Sequence, residues 1–244
     1  MKRKVLITGA AGRIGSFVTS KWVERYELVL TDIRPAQQTY GFPFHEVNLA
    51  DYDAVRPLVE GIDTVVHLGA DPRMDAPWES LLPNNVVTTY NIFEAAAQAR
   101  CRRVIFASSV NAVFGYPHDV QVHIDMPTRP INLYGATKVW GEAVASYYAA
   151  ARDISCICLR FGWVVDRNSP DIRVDHPYID IALTYDDLTL LVAGAIDAPD
   201  DMDYAVFHGV SNNRWKRLNI DDARNRLGYN PQDDAFALAR QNAA

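Results

Sequence analysis

The chain has 244 residues, of which 49% are apolar and 22% charged, and its formal net charge is −6. This size suits one large domain with a substantial core, and no apolar run is long enough for a transmembrane helix. The negative charge argues against general attraction to nucleic acid or to a membrane surface. The odd number of cysteines, three, argues against a disulfide framework and favours a reducing cytoplasm.

Apolar, β-branched runs alternate with helical segments along most of the chain. The predicted strands cover residues 4–8, 27–32, 44–47, 62–68, 104–108 and 154–159. The predicted helices cover residues 13–25, 51–59, 77–100 and 133–151. Pro83 is expected to divide the third helix into a short piece and a longer one. Near-continuous apolar strands separated by helices are typical of a parallel sheet covered on both faces, so we predict an α/β, doubly wound Rossmann fold.

After residue 160 this alternation weakens. Residues 162–183 are rich in Asp, Pro and Asn and show no long helical pattern. The later predicted elements are a helix, a strand and a second helix, over residues 188–196, 204–208 and 220–227. Thr184 is the expected N-cap of the first helix, and Gly228 is expected to end the second. We therefore expect residues 161–244 to complete the sheet and to form a small substrate-binding cap at its carboxyl edge.

Three glycines, Gly9, Gly12 and Gly15, lie between the first predicted strand and the first predicted helix. This spacing permits a tight turn and a close approach of the backbone to a pyrophosphate, which the helix N-terminus also attracts. Asp32 ends the second strand, near the distance of about 20 residues expected for an acid that binds ribose hydroxyls. Its charge would repel a 2′-phosphate, which favours NAD over NADP, although the neighbouring Arg34 softens that preference. Residues 1–160 are therefore expected to form an NAD-binding core.

Tyr134 and Lys138 share one face of a predicted helix, because they are four residues apart. The pair is common by chance, but its helix follows a strand that ends in Ser108-Ser109, at the carboxyl edge of the sheet. The lysine, the positive nicotinamide and the helix N-terminus would favour tyrosinate, which makes Tyr134 a candidate base for a substrate hydroxyl. Ser109 would hold that hydroxyl, and Lys138 would also bind the nicotinamide ribose.

Together these motifs resemble the extended short-chain dehydrogenase/reductase superfamily. The segments that carry the resemblance are Gly9-x-x-Gly12-x-x-Gly15, Asp32, His67-Leu68-Gly69-Ala70, Asn85, Ser109 and Tyr134-Gly-Ala-Thr-Lys138. Within that superfamily the chain is similar to the uronate dehydrogenases and to NAD-dependent sugar 1-dehydrogenases, including a glucose-6-phosphate branch. The resemblance implies that the anomeric hydroxyl of a small sugar is oxidised to a lactone with NAD.

The resemblance also implies site residues beyond the glycines, Asp32 and Lys138. The further cofactor contacts it implies are Arg13, Ile14, Asn48, Leu49, Leu68, Gly69, Ala70 and Asn85. The substrate contacts that we expect are Arg73, Ser109, Asn111, Tyr134 and Arg173. Trp163 departs from the family pattern, which has a small polar residue after Arg160-x-Gly162. A second departure is Ser109-Val110-Asn111, where uronate dehydrogenases have Ser-Asn-His. Both changes remove polar contacts to the substrate.

An anionic group on the substrate is the feature that such a site would best recognise in order to select one small sugar. An arginine grips a carboxylate or phosphate with two parallel hydrogen bonds. Arg73 fits the sugar-phosphate branch, and Arg173 resembles the carboxylate-binding arginine of uronate dehydrogenases. We therefore expect a uronate or a sugar phosphate as substrate, although both arginines could equally be solvated loop residues.

Two other functions use the same motifs. One is a nucleotide-sugar epimerase or dehydratase that returns the hydride to its substrate, and the other is a non-catalytic NAD-binding sensor. The short segment after the sixth strand disfavours the first, and the intact Ser109, Tyr134 and Lys138 disfavour the second.

No metal site is expected, because the six histidines lack ligand spacing. Residues 84–100 and 133–151 could form a homodimer interface of the kind seen in the superfamily, or could simply pack in the core.

Overall fold

A computed structural model describes residues 2–242. Met1, Ala243 and Ala244, at the ends of the two predicted regions, lie outside the described residues. The strands are β1 (Lys4–Thr8), β2 (Glu27–Asp32), β3 (Phe44–Glu46), β4 (Thr64–His67), β5 (Arg103–Ser109), β6 (Ser155–Phe161), β7 (Trp163–Val165), β8 (Ala182–Thr184) and β9 (Tyr204–Gly209). The helices are α1 (Arg13–Trp22), α2 (Tyr52–Val55), α3 (Trp78–Leu81), α4 (Thr88–Gln98), α5 (Leu133–Arg152), α6 (Tyr185–Asp197), α7 (Asp221–Leu227) and α8 (Ala235–Asn242).

The central sheet has the strand order β3-β2-β1-β4-β5-β6-β9, and every pair of neighbours in it is parallel. Both of its faces are covered, since Val5 and Ile7 belong to one hydrophobic cluster and Leu6 between them belongs to another. This arrangement confirms the predicted doubly wound Rossmann fold. The chain leaves β1 toward one edge and returns at β4 toward the other, and ligands of such sheets bind in the crevice that this reversal opens.

The helical region around Pro83 differs from the prediction in its geometry. A π-helical turn, Leu82–Val87, joins α3 directly to α4, so the chain stays helical between the short piece and the long one. Proline cannot donate a backbone hydrogen bond, and a wider turn accommodates the missing donor without ending the helix. The predicted division therefore occurs, without a gap in the helix.

The last third of the chain is more regular than its composition suggested. The strand β9 pairs with β6 and extends the main sheet, whereas β7 and β8 form a separate parallel pair that the sequence did not predict. The helix α6 begins where expected, because the Thr184 hydroxyl accepts a hydrogen bond from the backbone N–H of Asp187. Gly228, with φ of 64°, ends α7. Within residues 2–242, no helix has the length and the apolar character needed to span a bilayer.

Candidate active site

A cleft of about 800 Å³ lies at the carboxyl edge of the main sheet. It is bounded by the segments that follow β1, β2, β4, β5 and β6 and by the start of α5. The predicted site residues that line it are Gly9, Gly12, Arg13, Ile14, Gly15, Asp32, Asn48, Leu49, Leu68, Gly69, Ala70, Ser109, Asn111, Tyr134 and Lys138. Residues from distant parts of the sequence therefore share one concave surface.

Two glycines at the junction of β1 and α1 have no room for a side chain. Gly9 has φ of +67°, and a Cβ atom on Gly15 would lie 2.2 Å from the carbonyl oxygen of Gly9. The N-cap of α1, Gly12, supplies no side chain to its first backbone N–H groups. Donors at the positive end of a helix, next to a backbone that a ligand can approach closely, fit a pyrophosphate.

Asp32 lies at the end of β2 beside this loop. Its two carboxylate oxygens accept hydrogen bonds from the backbone N–H groups of Ala11, at 3.0 Å, and Arg34, at 3.1 Å. Each oxygen retains acceptor capacity, which suits the hydroxyls of a ribose. The loop and the carboxylate together fit the pyrophosphate and ribose of a dinucleotide.

Thr8, at the end of β1, holds the neighbouring loop in place. Its hydroxyl oxygen accepts hydrogen bonds from the backbone N–H groups of Leu68 and Gly69, both at 3.1 Å, and lies 2.8 Å from Nδ1 of His67. Burial, with a contribution from the charge of Lys138, lowers the pKa of His67 to about 3, so the imidazole is neutral. Nδ1 therefore accepts the proton of the Thr8 hydroxyl, and this bond ties β1 to β4.

Ser109 is connected to α5 through two amide side chains. Its hydroxyl oxygen accepts hydrogen bonds from the backbone N–H and from Nδ2 of Asn111, each at 3.1 Å. Oδ1 of Asn111 accepts from Asn132, whose own Oδ1 caps α5 at Gly135. The hydroxyl proton of Ser109 is left to donate into the site. Asn111, expected as a substrate contact, therefore also orients Ser109 and the start of α5.

Tyr134 and Lys138 are both buried on the first turns of α5, with the ammonium 5.5 Å from the centre of the tyrosine ring. Burial raises the pKa of Tyr134 to about 12, and the Asp71 carboxylate adds to the rise while the Ser109 hydroxyl opposes it. Burial lowers the pKa of Lys138 to about 8. The sequence predicted that the lysine would favour tyrosinate, but within the protein itself burial is the larger effect.

Three predicted site residues do not line the cleft. Asn85 is buried and bonds to both backbone groups of Asp71 and to Thr137, so it supports the cleft wall from behind. Arg73 is exposed and donates to Asp71 at 2.7 and 3.1 Å. Arg173 is also exposed, and its nearest carboxylate is that of Asp175, at 3.4 Å. Neither arginine lines the cleft, and the substrate contacts expected for them stay predictions.

A buried ion pair behind the site was missed by the sequence reasoning. Glu142 on α5 accepts two hydrogen bonds of 2.8 Å from the guanidinium of Arg160 on β6, and the two side chains are 6% and 4% exposed. Ser108 donates to the same carboxylate at 2.5 Å, and His208 on β9 contacts the guanidinium at 3.4 Å. Two signals were available: Glu142 is one turn beyond Lys138, and Arg160 is a charge within a buried strand.

The chain matches the model of the NAD dependent epimerase/dehydratase family over residues 5–178. It is 33% identical to the NAD-dependent glucose-6-phosphate dehydrogenase of Haloferax volcanii, over 96% of this chain and 95% of that one. The chain belongs to the NAD dependent epimerase/dehydratase family. Another member, the uronate dehydrogenase of Pseudomonas syringae pv. tomato, is 32% identical over 95% of this chain and 82% of its own.

A solved structure of the family has the same architecture along the whole chain. Uronate dehydrogenase from Agrobacterium tumefaciens, as a mutant complexed with NAD, superposes with a TM-score of 0.88 at 29% identity. The match covers 99% of this chain and 89% of that one. The family relationship predicted from the motifs is confirmed.

The ion pair behind the site should be important for stability. Glu142→Gln leaves the buried guanidinium of Arg160 without a carboxylate, so we expect a loss of about 3–5 kcal/mol in the free energy of unfolding. Urea unfolding measures it. The matched control is Asp186→Asn, which removes the carboxylate from an exposed pair with Lys21 and should cost less than about 1 kcal/mol. Equal losses in the two variants would contradict a special role for the buried pair.

Proposed function

We propose that the protein is an NAD-dependent sugar dehydrogenase, which oxidises the anomeric carbon of a small sugar to a lactone. One observation carries this proposal: a single cleft joins the glycine loop and Asp32 to Ser109, Tyr134 and Lys138. The first group suits a dinucleotide and the second suits removal of a proton from a hydroxyl. The dehydrogenase activities named for the relatives support the same reaction class.

The proposed roles follow from the contacts of each side chain. NAD, when bound, would accept the hydride that leaves the anomeric carbon. The glycine loop and the start of α1 would hold its pyrophosphate, Asp32 would hold a ribose, and Lys138 would hold the nicotinamide ribose. Ser109 would donate its free hydroxyl proton to the reacting oxygen and so align it. Tyr134 would take the proton of that hydroxyl, which leaves the lactone carbonyl.

The region after residue 160 would act as the cap of this site. Support comes from Trp163, Tyr178 and Ile181, which line the cleft beside residues of the core.

We also propose that the protein works in a reducing compartment such as the cytoplasm. Its three cysteines, Cys101, Cys156 and Cys158, are all buried free thiols, which suits such a compartment.

A homodimer through the helices after residue 84 is a further part of the proposal. The outward side of α5 is an apolar stripe of exposed or half-exposed residues: Leu133, Ala136, Trp140, Ala143, Tyr147 and Ala150. Its small residues allow a second helix to approach closely. Tyr90 extends the stripe onto α4 and is 49% exposed. An apolar surface of this kind is typical of a protein interface.

The proton-transfer role predicts the behaviour of Tyr134→Phe. We expect turnover to fall by about 10²–10⁴-fold, because the base is removed, while the affinity for NAD changes little. In the unsubstituted protein turnover should rise with pH, since Tyr134 accepts a proton only after losing its own, and this rise should vanish in the variant. NADH absorbance measures turnover, and calorimetric titration with NAD is the control for folding. Near-normal turnover in the variant would refute the mechanism.

The ribose-binding role predicts a change in cofactor preference. Asp32→Ala should weaken the affinity for NAD and narrow the preference over NADP, because the carboxylate that repels a 2′-phosphate is gone and Arg34 remains. Asp32→Asn keeps a hydrogen-bond acceptor without the charge and separates the two effects. Calorimetric titration with each nucleotide measures them. Stronger binding of NADP than of NAD by the unsubstituted protein would reject the assignment.

The dimer predicts that a charge in the stripe is disruptive. Ala143→Glu would bury a carboxylate at the proposed interface and should shift the protein from dimer to monomer. Asn225→Glu adds the same charge at an exposed position on α7 and should leave the dimer intact. Analytical ultracentrifugation measures the mass in solution. A monomeric unsubstituted protein, or identical behaviour of both variants, would exclude this interface.

A further inference from the structure

The cleft has two halves of different chemical character. Among the described residues, the cationic side chains in its lining are Arg13, Arg34 and Lys138. Arg13 and Arg34 follow β1 and β2, whereas Trp163 starts β7, immediately after β6. In the order of the main sheet, three or four strand spacings, about 14–19 Å, separate these strand ends. The two arginines therefore belong to the half that holds the glycine loop and Asp32.

The lining of the other half includes the aromatic rings of Phe114, Trp163 and Tyr178, which we call the aromatic wall. The indole of Trp163 lies parallel to the ring of His176, with centroids 4.0 Å apart and an interplanar angle of 12°. Tyr178 packs against both His176 and Phe114, at centroid distances of 5.6 and 5.8 Å. Because each ring is supported by a neighbour, the wall presents a preformed apolar surface beside the catalytic residues.

The arginines of the neighbouring segments are engaged away from this half. Arg73 and Arg173 are exposed and are each near an aspartate two positions along the chain. Arg217 is buried behind the wall, with its guanidinium 4.7 Å from the ring of Phe114 and its Nη2 donating to two backbone carbonyls. Lys138 is itself buried at the proposed nicotinamide site. The aromatic wall therefore has no arginine in it to grip an anion.

The electrostatic field near Tyr134 also opposes a negative substrate. Asp71 lies in the cleft lining, and hydrogen bonds from Arg73 and Ser80 hold its pKa well below its usual range, so it is ionised. The same carboxylate raises the pKa of Tyr134, which means that its field reaches the reacting groups. Arg73 balances part of this charge, but a carboxylate or phosphate placed there would still lose hydration beside an ionised carboxylate, and this is costly.

We propose that the substrate is an uncharged aldose, held with the apolar face of its ring against the aromatic wall, and that Trp163 sets this specificity. The proposal rests on the sugar dehydrogenase activity proposed above, and it differs from the anionic substrate that the sequence suggested. An aldose ring carries C–H groups on its faces and hydroxyls on its edge. The rings can pack against the former, and neutral polar groups such as Ser109 and Asn111 can bond to the latter.

The first test compares matched sugars with NAD and the full chain. The neutral probes are glucose, galactose and arabinose, and the anionic probes are glucose 6-phosphate, glucuronate and galacturonate. We expect kcat/KM for the best neutral sugar to exceed that for its anionic counterpart by about tenfold or more, equivalent to about 1.4 kcal/mol. NADH absorbance is the readout.

The second test removes the ring that the proposal depends on. Trp163→Ala should raise KM for the neutral sugar by about tenfold or more, with a smaller change in kcat. Trp163→Phe should restore most of the loss, since it keeps an aromatic face. The affinity for NAD should be unchanged in both, which also shows that they fold. Val174→Ala, in an exposed position of the same segment, is the control and should not change KM.

The outcomes separate this inference from the proposed function. The protein could instead prefer an anionic sugar and lose this preference in Arg73→Ala or Arg173→Ala. That result would overturn the inference alone and would show that an arginine binds the anionic group. An unchanged KM in Trp163→Ala would overturn the role of the wall. No NADH from any sugar, with NAD still bound, would overturn the dehydrogenase function and this inference together.

Discussion

The buried pair of Glu142 and Arg160 helps to determine where α5, the helix that carries Tyr134 and Lys138, lies. It ties α5 to β6, and the Ser108 hydroxyl ties the same carboxylate to β5. An isolated charge at either position would be very unfavourable, so α5 is favoured in the one register that keeps the pair intact. Tyr134 and Lys138 precede Glu142 by two turns and one turn on the same side of the helix, so their positions follow from it.

The sheet supplies the second constraint. Parallel strands bring all their carboxyl ends to one edge, so segments far apart in sequence meet there without any direct signal between them. The hydroxyl of Thr8 and the amide of Asn85 then fix the loop after β4 between the two halves of the cleft. Neither side chain lines the cleft, but both help to determine its shape.

The parts of the structure that depend on local pattern could be predicted from the sequence. The strands β1 and β2, the glycine loop and the end of α7 at Gly228 follow from periodicity and from glycine conformation alone. The directions of the Arg73 and Arg173 side chains could not be predicted, because both lie in segments without a helix or strand pattern. The π-helical turn at Pro83 depends on how two helical pieces pack in three dimensions, and the short pair β7 and β8 depends on a contact between segments with little pattern of their own.

The protonation state of Tyr134 depends both on the fold around it and on the charges of the molecules bound beside it. The protein's own groups hold its pKa near 12, through burial and the Asp71 carboxylate, so on its own it is a poor proton acceptor at neutral pH. A positive charge brought beside the ring would lower that pKa, and in the proposed function the oxidised nicotinamide supplies such a charge. An uncharged substrate leaves that effect intact, whereas an added anion would raise the pKa again. In the proposed function, base activation and selection for a neutral sugar would therefore rest on the same electrostatic requirement.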